Sequence, residues 1–117
     1  MITIRKMTIL VIDDERIFNH EKIGALTDHF AYAESLTVAT ALVFTLAWDV
    51  VYLDHDLGTY GDVRVLTKDI EKFAYNGNIL PIGKFVIHSM NPLGRMEMYN
   101  ALHKFYNVEF ARVEDLL

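Results

Sequence analysis

The stretch DVVYLDHDLGTYG, residues 49–61, indicates the fold of this chain. In it, four apolar or aromatic residues run directly into Asp54, His55 and Asp56, and a glycine-bearing turn follows. A short apolar run that ends at a turn is typical of a strand buried on both faces, as in the middle of a parallel sheet. In open α/β proteins the ligand crevice lies where such strands end. Because two carboxylates and an imidazole are costly to bury without partners, the stretch predicts a functional site at the end of this strand.

Length and composition bound the class of protein. A chain of 117 residues predicts a single domain, residues 1–117, with one sizeable core. Its content of 52% hydrophobic and 23% charged residues is that of a folded protein, not a disordered one. There is no cysteine, which excludes disulfides, thiolate zinc sites and cysteine nucleophiles.

Charge and hydropathy restrict the partners. A net charge of −5 and a pI near 5.4 argue against a surface for duplex nucleic acid, which needs clustered Lys and Arg. A small anionic ligand held through a metal ion stays compatible with this charge. The apolar runs are shorter than the ~18 residues that span a bilayer, and the first residues lack the layout of a signal peptide. We therefore expect a cytoplasmic protein with no membrane partner.

Strand and helix patterns alternate along the chain. Apolar runs predict five strands, at Thr8–Ile12, His29–Ala33 and residues 49–53, 84–87 and 108–113. Ser35, Asp62 and Asn91 are capping residues, and each precedes an apolar stripe at helical spacing. Residues 16–28 predict a short helix or a long loop, and residues 2–5 a weak edge segment.

This order of elements predicts an α/β fold of the flavodoxin-like, doubly wound type. Parallel strands joined by helices need right-handed crossovers, which place helices on both faces of the sheet. The expected sheet has five parallel strands in the order 2-1-3-4-5, with the first helix reduced or replaced by a loop.

Polar residues follow three strands that are neighbours in this order. Asp13, Asp14 and Glu15 follow the first strand, Asp54, His55 and Asp56 the third, and His88, Ser89 and Asn91 the fourth. Carboxylates packed this closely repel one another, and a divalent cation is the usual remedy. We expect the metal ligands among Asp13, Asp14, Asp54 and Asp56. Oxygen ligands suit magnesium or manganese, and the histidines also admit zinc or iron.

Two longer segments resemble those of a known family. LDHDLG (residues 53–58) and IHSMNPLGRMEM (residues 87–98) resemble the signature of cyclic-phosphate-processing receiver-like domains, divergent relatives of response-regulator receiver domains. In addition VIDD (residues 11–14), Asp54 and Ser89 resemble the acidic pocket, phospho-acceptor aspartate and hydroxyl residue of receivers. Receivers carry a lysine at the end of the fifth strand, where this chain reads FARV (residues 110–113).

The resemblance implies that the chain processes or binds a cyclic phosphate, such as a cyclic nucleotide or a 2′,3′-cyclic phosphate end, as a metal-dependent phosphoesterase. Hydrolysis of such an ester needs charge neutralisation, an activated water and a proton for the leaving oxygen. The expected catalytic residues are His88, His55 and Asp54, the histidines because their ordinary pKa lies near neutrality. The expected ligand contacts are Ser89, Asn91 and Arg95, at the start of the last helix.

Some of the candidate site residues also have a simpler, structural interpretation. Asp56 could simply cap the loop before Gly58, as aspartates commonly do, and Asn91 is most simply a helix cap. In an extended strand His55 faces away from Asp54, where it could be a structural hydrogen-bond donor. The chain is also compatible with a signalling receiver in which Asp54 accepts a phosphoryl group, or with a protein that only senses or sequesters a cyclic nucleotide. The sequence does not separate binding from hydrolysis.

Overall fold

Five parallel strands form one sheet in a computed structural model, which describes residues 7–13, 29–54, 61–88 and 91–111. The strands are β1 (Thr8–Ile12), β2 (His29–Ala33), β3 (Trp48–Leu53), β4 (Ile82–Ile87) and β5 (Asn107–Phe110). Their order in the sheet is β2-β1-β3-β4-β5, so the predicted flavodoxin-like topology is confirmed.

Four strand boundaries differ from the prediction, two of them by a single residue: β3 begins at Trp48 and β5 at Asn107, one residue earlier than expected. β4 begins at Ile82, two residues earlier than expected, because Ile82 pairs with Trp48 at the start of β3. β5 ends at Phe110, and the last two residues of the predicted strand, 112 and 113, lie outside the described residues. The segments predicted at residues 2–5 and 16–28 also lie outside them.

Three helices connect the strands in the described part of the chain: α1 (Leu36–Thr45), α2 (Val63–Tyr75) and α3 (Pro92–Leu102). The three predicted caps are confirmed, since the side chains of Ser35, Asp62 and Asn91 each accept a backbone N–H of the first turn. Each cap satisfies a donor that the helix itself leaves without an acceptor. No helix in these described segments has the length and apolar character that would let it cross a membrane.

The core lies mainly between the sheet and these helices. Its sheet side includes residues at alternate positions of the strands that have no exposed surface: Leu10, Ile12, Val51, Leu53, Phe85 and Ile87. Its helix side includes Val43 of α1, Leu66 and Ile70 of α2, and Met98 of α3. The other face of the sheet carries a smaller buried cluster, Ile9, Val11, Val50 and Val86. The central strands are therefore buried on both faces, as the apolar run before Asp54 predicts.

Gly61, where the chain enters α2, packs tightly against α1. Its φ is +124°, a conformation that side-chain-bearing residues rarely adopt. A Cβ at this position would also lie 2.6 Å from the Cβ of Leu36. Gly77, after the end of α2, likewise has a positive φ of +89°, but a Cβ there would meet no atom within 4 Å.

These two glycines give a matched pair for measuring the cost of that contact. We expect Gly77→Ala to lower the free energy of unfolding by about 1 kcal/mol, because only backbone strain is added. Gly61→Ala should cost about 3 kcal/mol, because overpacking against Leu36 adds to the strain. Urea denaturation of both variants checks this, and equal losses would contradict the close approach of Gly61 to α1.

Candidate functional site

Asp13, Asp54 and His88 lie side by side at the carboxyl edge of the sheet. The backbone N–H of Asp54 donates to the carbonyl of Ile12 at 3.1 Å, and that of His88 donates to Leu53 at 3.0 Å. These bonds extend the ladders β1–β3 and β3–β4 by one residue beyond the last paired positions. The structure therefore places Asp13, Asp54 and His88, the first residues after the first, third and fourth strands, at one edge of the sheet.

The alternation of side chains places this row on the face opposite the three helices. Asp54 is two residues beyond Tyr52 and His88 two beyond Val86, and both of these belong to the smaller cluster. A ring contact agrees with this placement, because the centroids of Tyr52 and His88 are 6.5 Å apart. The aromatic ring of Tyr52 is thus part of the surroundings of His88.

The three side chains differ in exposure. Asp13 has no exposed surface and His88 has 3%, whereas Asp54 is half-buried. Burial lowers the pKa of His88 from 6.5 to about 4, since removal from water disfavours the charged ring. The imidazole is therefore neutral near pH 7, so in the resting state it can act as a proton acceptor and not as an imidazolium acid.

Glu34 is a fourth polar residue of this row that the sequence analysis did not select. The backbone N–H of Asp13 donates to the carbonyl of Ala33 at 3.1 Å, so the residue after β2 comes to lie beside the residue after β1. Glu34 is half-buried there. The sequence does carry a signal for Glu34, because a charged residue directly follows the predicted strand His29–Ala33, but the adjacent Ser35 is typical of a helix start and gives Glu34 a simpler interpretation.

Tyr52 was also missed, since it reads as one of four core residues of β3. It is half-buried, and its pKa is raised by burial first of all, with Lys84 lowering it and Glu109 raising it. Lys84 itself contacts Glu109 at 3.1 Å. Side chains alternate between the two faces of a strand, so residues 52 and 54 share a face. The alternation therefore indicates that Tyr52 lies on the same face as Asp54.

Asn91 and Arg95 take up structural contacts at the start of α3. The Oδ1 of Asn91 accepts the N–H of Gly94 at 3.0 Å, so the simple interpretation of Asn91 as a cap is correct. The guanidinium of Arg95 lies 5.6 Å from the ring centroid of Phe110, the last residue of β5. This cation–π contact holds Arg95 at the carboxyl end of the sheet.

Four predicted site residues, Asp14, His55, Asp56 and Ser89, lie outside the described residues. Within the described segments, no three acidic or histidine side chains come together closely enough to hold a metal ion. The described donor set is the pair of carboxylates Asp13 and Asp54, whose oxygens suit a hard divalent cation such as magnesium. The donor chemistry therefore fits a cation, and further ligands would have to come from residues beyond this set.

Comparison with known proteins assigns both the family and the fold. The family model described as "Cyclic-phosphate processing Receiver domain" matches residues 8–104. No curated protein matches the sequence.

Solved structures of receiver domains resemble the chain. One is the receiver domain of the histidine kinase CKI1 from Arabidopsis thaliana complexed with Mg²⁺, with 20% identity, a TM-score of 0.62, and coverage of 94% of this chain and 85% of that one. An aspartate-to-alanine variant of the same domain gives 20% identity, a TM-score of 0.63, and coverage of 93% and 82%. At this level of identity the likeness shows the receiver fold alone.

The depressed pKa of His88 predicts a specific dependence of stability on pH. Between pH 6.5 and about 4 the unfolded chain binds a proton at His88 that the folded chain does not, so stability falls as the pH falls through this window. From pH 7.5 to pH 5 this histidine should account for about 2 kcal/mol of lost stability.

His88→Gln should remove that part of the loss, whatever the substitution does to stability at pH 7.5. The exposed histidine His103 supplies the control, because His103→Gln removes an imidazole from the surface and leaves the buried ring of His88 in place. Urea denaturation at pH 7.5 and pH 5 measures the difference in the free energy of unfolding between the two pH values. If this difference were the same in His88→Gln as in the wild type, the imidazole of His88 would not be buried and neutral in the folded protein.

Proposed function

The chain belongs to the family of cyclic-phosphate processing receiver domains, and from that premise we propose that its carboxyl-edge site binds and hydrolyses a cyclic phosphodiester. The observation that carries the proposal is the position of the neutral, buried His88 one strand away from the half-buried Asp54. A base next to an acidic, cation-attracting pocket is what hydrolysis of an anionic ester needs. The ligand class comprises cyclic nucleotides and 2′,3′-cyclic phosphate ends.

Asp13 and Asp54 are the described residues that would hold a divalent cation, with Asp14 and Asp56 as the further candidates from the sequence. Such a cation, when bound, neutralises charge on the phosphoryl oxygens and makes a water more acidic. Magnesium or manganese suits carboxylate donors, and zinc is the alternative that a histidine would favour. The receiver domain of CKI1 complexed with Mg²⁺ supports magnesium as the first ion to test.

His88 would act as the general base. Water adds to phosphorus while its proton passes to the imidazole, the bond from phosphorus to one ester oxygen breaks, and that oxygen takes up a proton. The ring opens to a phosphomonoester and a free hydroxyl group. Burial keeps the ring of His88 unprotonated near pH 7, and a general base must be unprotonated before it accepts a proton. The leaving oxygen would receive its proton either from the imidazolium that His88 has become or from His55.

We expect Mg²⁺ to raise the melting temperature of the protein by about 5 °C or more at saturation, because it binds only the native state. Asp54→Asn should abolish most of this rise. The metal-free variant should melt no earlier than the wild type, since the change relieves repulsion near Asp13. Asp69→Asn, an exposed aspartate on α2, is the control and should respond as the wild type does. An equal response of Asp54→Asn and wild type would place the metal elsewhere.

We expect His88→Gln to reduce the turnover of a cyclic phosphate substrate by roughly 10²–10⁴-fold per folded molecule, the usual contribution of a general base. A loss of affinity with unchanged turnover at saturation would instead make His88 a ligand contact. His103→Gln should retain full activity. Unchanged activity per folded molecule in His88→Gln would show that the imidazole is only part of the core.

The second candidate function is a phospho-accepting receiver with Asp54 as the acceptor. One observation weighs against it. In receivers the lysine after β5 contacts the acyl phosphate, whereas here Ala111 follows β5. Lys84 lies on β4 and is bound to Glu109 of β5 at 3.1 Å. Incubation with acetyl phosphate and Mg²⁺ followed by intact-mass measurement tests this alternative, which predicts the added mass of one phosphoryl group that Asp54→Asn loses.

A further inference from the structure

The end of α2 carries an asparagine followed by a glycine, a pair with covalent chemistry of its own. Asn76 caps the helix, Gly77 follows it, and both residues are exposed. The backbone nitrogen of the residue after an asparagine can attack the side-chain amide, and glycine hinders this attack least because it has no Cβ. In the described part of the chain, moreover, no atom lies within 4 Å of the position that a Cβ of Gly77 would take. The pair is therefore accessible to water and sterically open.

In the folded protein the helix cap holds this pair in an unreactive geometry. The N–H of Gly77 donates to the carbonyl of Ala74 at 2.9 Å, so the nitrogen that would attack is engaged in a hydrogen bond. The N–H of Asn78 donates to the carbonyl of Phe73 at 3.1 Å and completes a Schellman cap. The ψ of Asn76 is 10°, which turns the nitrogen of Gly77 towards the backbone nitrogen of Asn76 and away from its Cβ. Because reacting atoms must be aligned at close range, the amide reacts after the cap opens.

The contacts that hold this end of α2 lie at the surface. Tyr75, the last residue of the helix, is 62% exposed, and its ring packs edge-on against that of Phe105 with the centroids 4.9 Å apart. Its hydroxyl accepts a hydrogen bond from Lys104 at 2.9 Å. Ala74, one residue earlier, is buried in the protein. Opening of the last residues and the cap therefore gives up surface contacts and leaves the core in place, and helix ends of this kind open at low free energy.

We propose that Asn76 is a site of spontaneous deamidation whose rate is set by the opening of the α2 cap. In the open form the nitrogen of Gly77 bonds to Cγ of Asn76 and loses its proton, while the bond from Cγ to the side-chain nitrogen breaks and ammonia leaves. Water then opens the resulting succinimide at one of its two carbonyl carbons, which gives aspartate or isoaspartate. Water is the co-reactant, and no oxidant takes part. The chemistry of this site is independent of the proposed function.

Both products weaken the end of α2. An aspartate places a negative charge at the helix terminus where the dipole favours a positive one. An isoaspartate adds one atom to the main chain between residues 76 and 77, so the cap bonds of Gly77 and Asn78 can no longer form together. Deamidation through isoaspartate thus makes a transient opening of the cap permanent.

Incubation of the full chain at mildly alkaline pH, with and without guanidinium chloride, tests the proposal. Trypsin then releases residues 73–84 as one peptide, and mass spectrometry follows the change of mass as an amide becomes a carboxyl group. We expect Asn76 to deamidate about tenfold or more slowly in the folded protein than in the unfolded chain, because the reaction waits for the cap to open. Asn78 is exposed in the same peptide but precedes the β-branched Ile79, so it is the internal control and should keep its amide.

A substitution away from the pair separates the opening of the cap from the intrinsic chemistry. Phe105→Ala removes the ring that packs against Tyr75 and leaves the sequence around Asn76 unchanged. We expect it to deamidate about threefold faster than the wild type when folded, the effect of losing one aromatic pair, and at the wild-type rate in guanidinium chloride. Phe110→Ala removes an exposed ring at the other end of the sheet and is the control, which should match the wild type.

Three outcomes would overturn the proposal. An intact Asn76 in the folded protein, after the unfolded chain has been converted, would show that the cap does not open. Equal rates with and without guanidinium chloride would show that the cap does not protect the amide. An equal rate in folded Phe105→Ala and folded wild type would show that opening of the helix end does not set the rate. Tyr75→Ala, which loses the same ring contact, serves as the second variant if Phe105→Ala fails to fold.

Discussion

The site depends on the hydrogen-bonded ladders that join β1, β3 and β4, because these ladders continue one residue beyond the last paired positions. The bonds from Asp54 to Ile12 and from His88 to Leu53 hold the first polar residue after each strand beside its neighbour. A parallel ladder allows no independent sliding of one strand, since a shift of one residue would turn every core side chain to the opposite face. The core of the sheet therefore fixes the relative positions of the site residues.

Burial at this edge has opposite consequences for the two kinds of side chain. For the carboxyl group of Asp13, which has no exposed surface, burial makes the ionised form costly unless something opposes its charge. For His88, burial favours the neutral ring, as its pKa of about 4 indicates. A bound cation would stabilise the ionised carboxyl group of Asp13 and would further favour the neutral ring of His88, because it repels an imidazolium. One dry environment thus accounts for both a carboxyl group whose charge calls for a counter-ion and an imidazole that is neutral near pH 7.

Much of this arrangement follows from local patterns in the sequence. The strand order, the caps Ser35, Asp62 and Asn91, and the shared edge of Asp54 and His88 all rest on alternation, capping and the short apolar run before Asp54. These are properties of neighbouring residues, which a sequence displays directly.

The rest depends on distances between segments far apart in the chain. Which carboxylate of α3 pairs with Arg64 depends on how α2 and α3 pack, and the contact of Arg95 with Phe110 depends on where β5 lies beside α3. The depressed pKa of His88 depends on its exact degree of burial, which the apolar residues before it indicate only in direction. Such quantities are set by tertiary packing and not by motif spacing.

The most direct measurement of the central claim is turnover by the purified protein. Cyclic nucleotides and 2′,3′-cyclic phosphates are incubated with the protein and Mg²⁺, Mn²⁺ or Zn²⁺, and the products are followed by phosphorus NMR, with chelator-treated protein as the blank. The account predicts that at least one cyclic phosphate opens to its phosphomonoester in the presence of a cation and not in the blank. Failure of every cyclic phosphate to open with any of the three cations would contradict it.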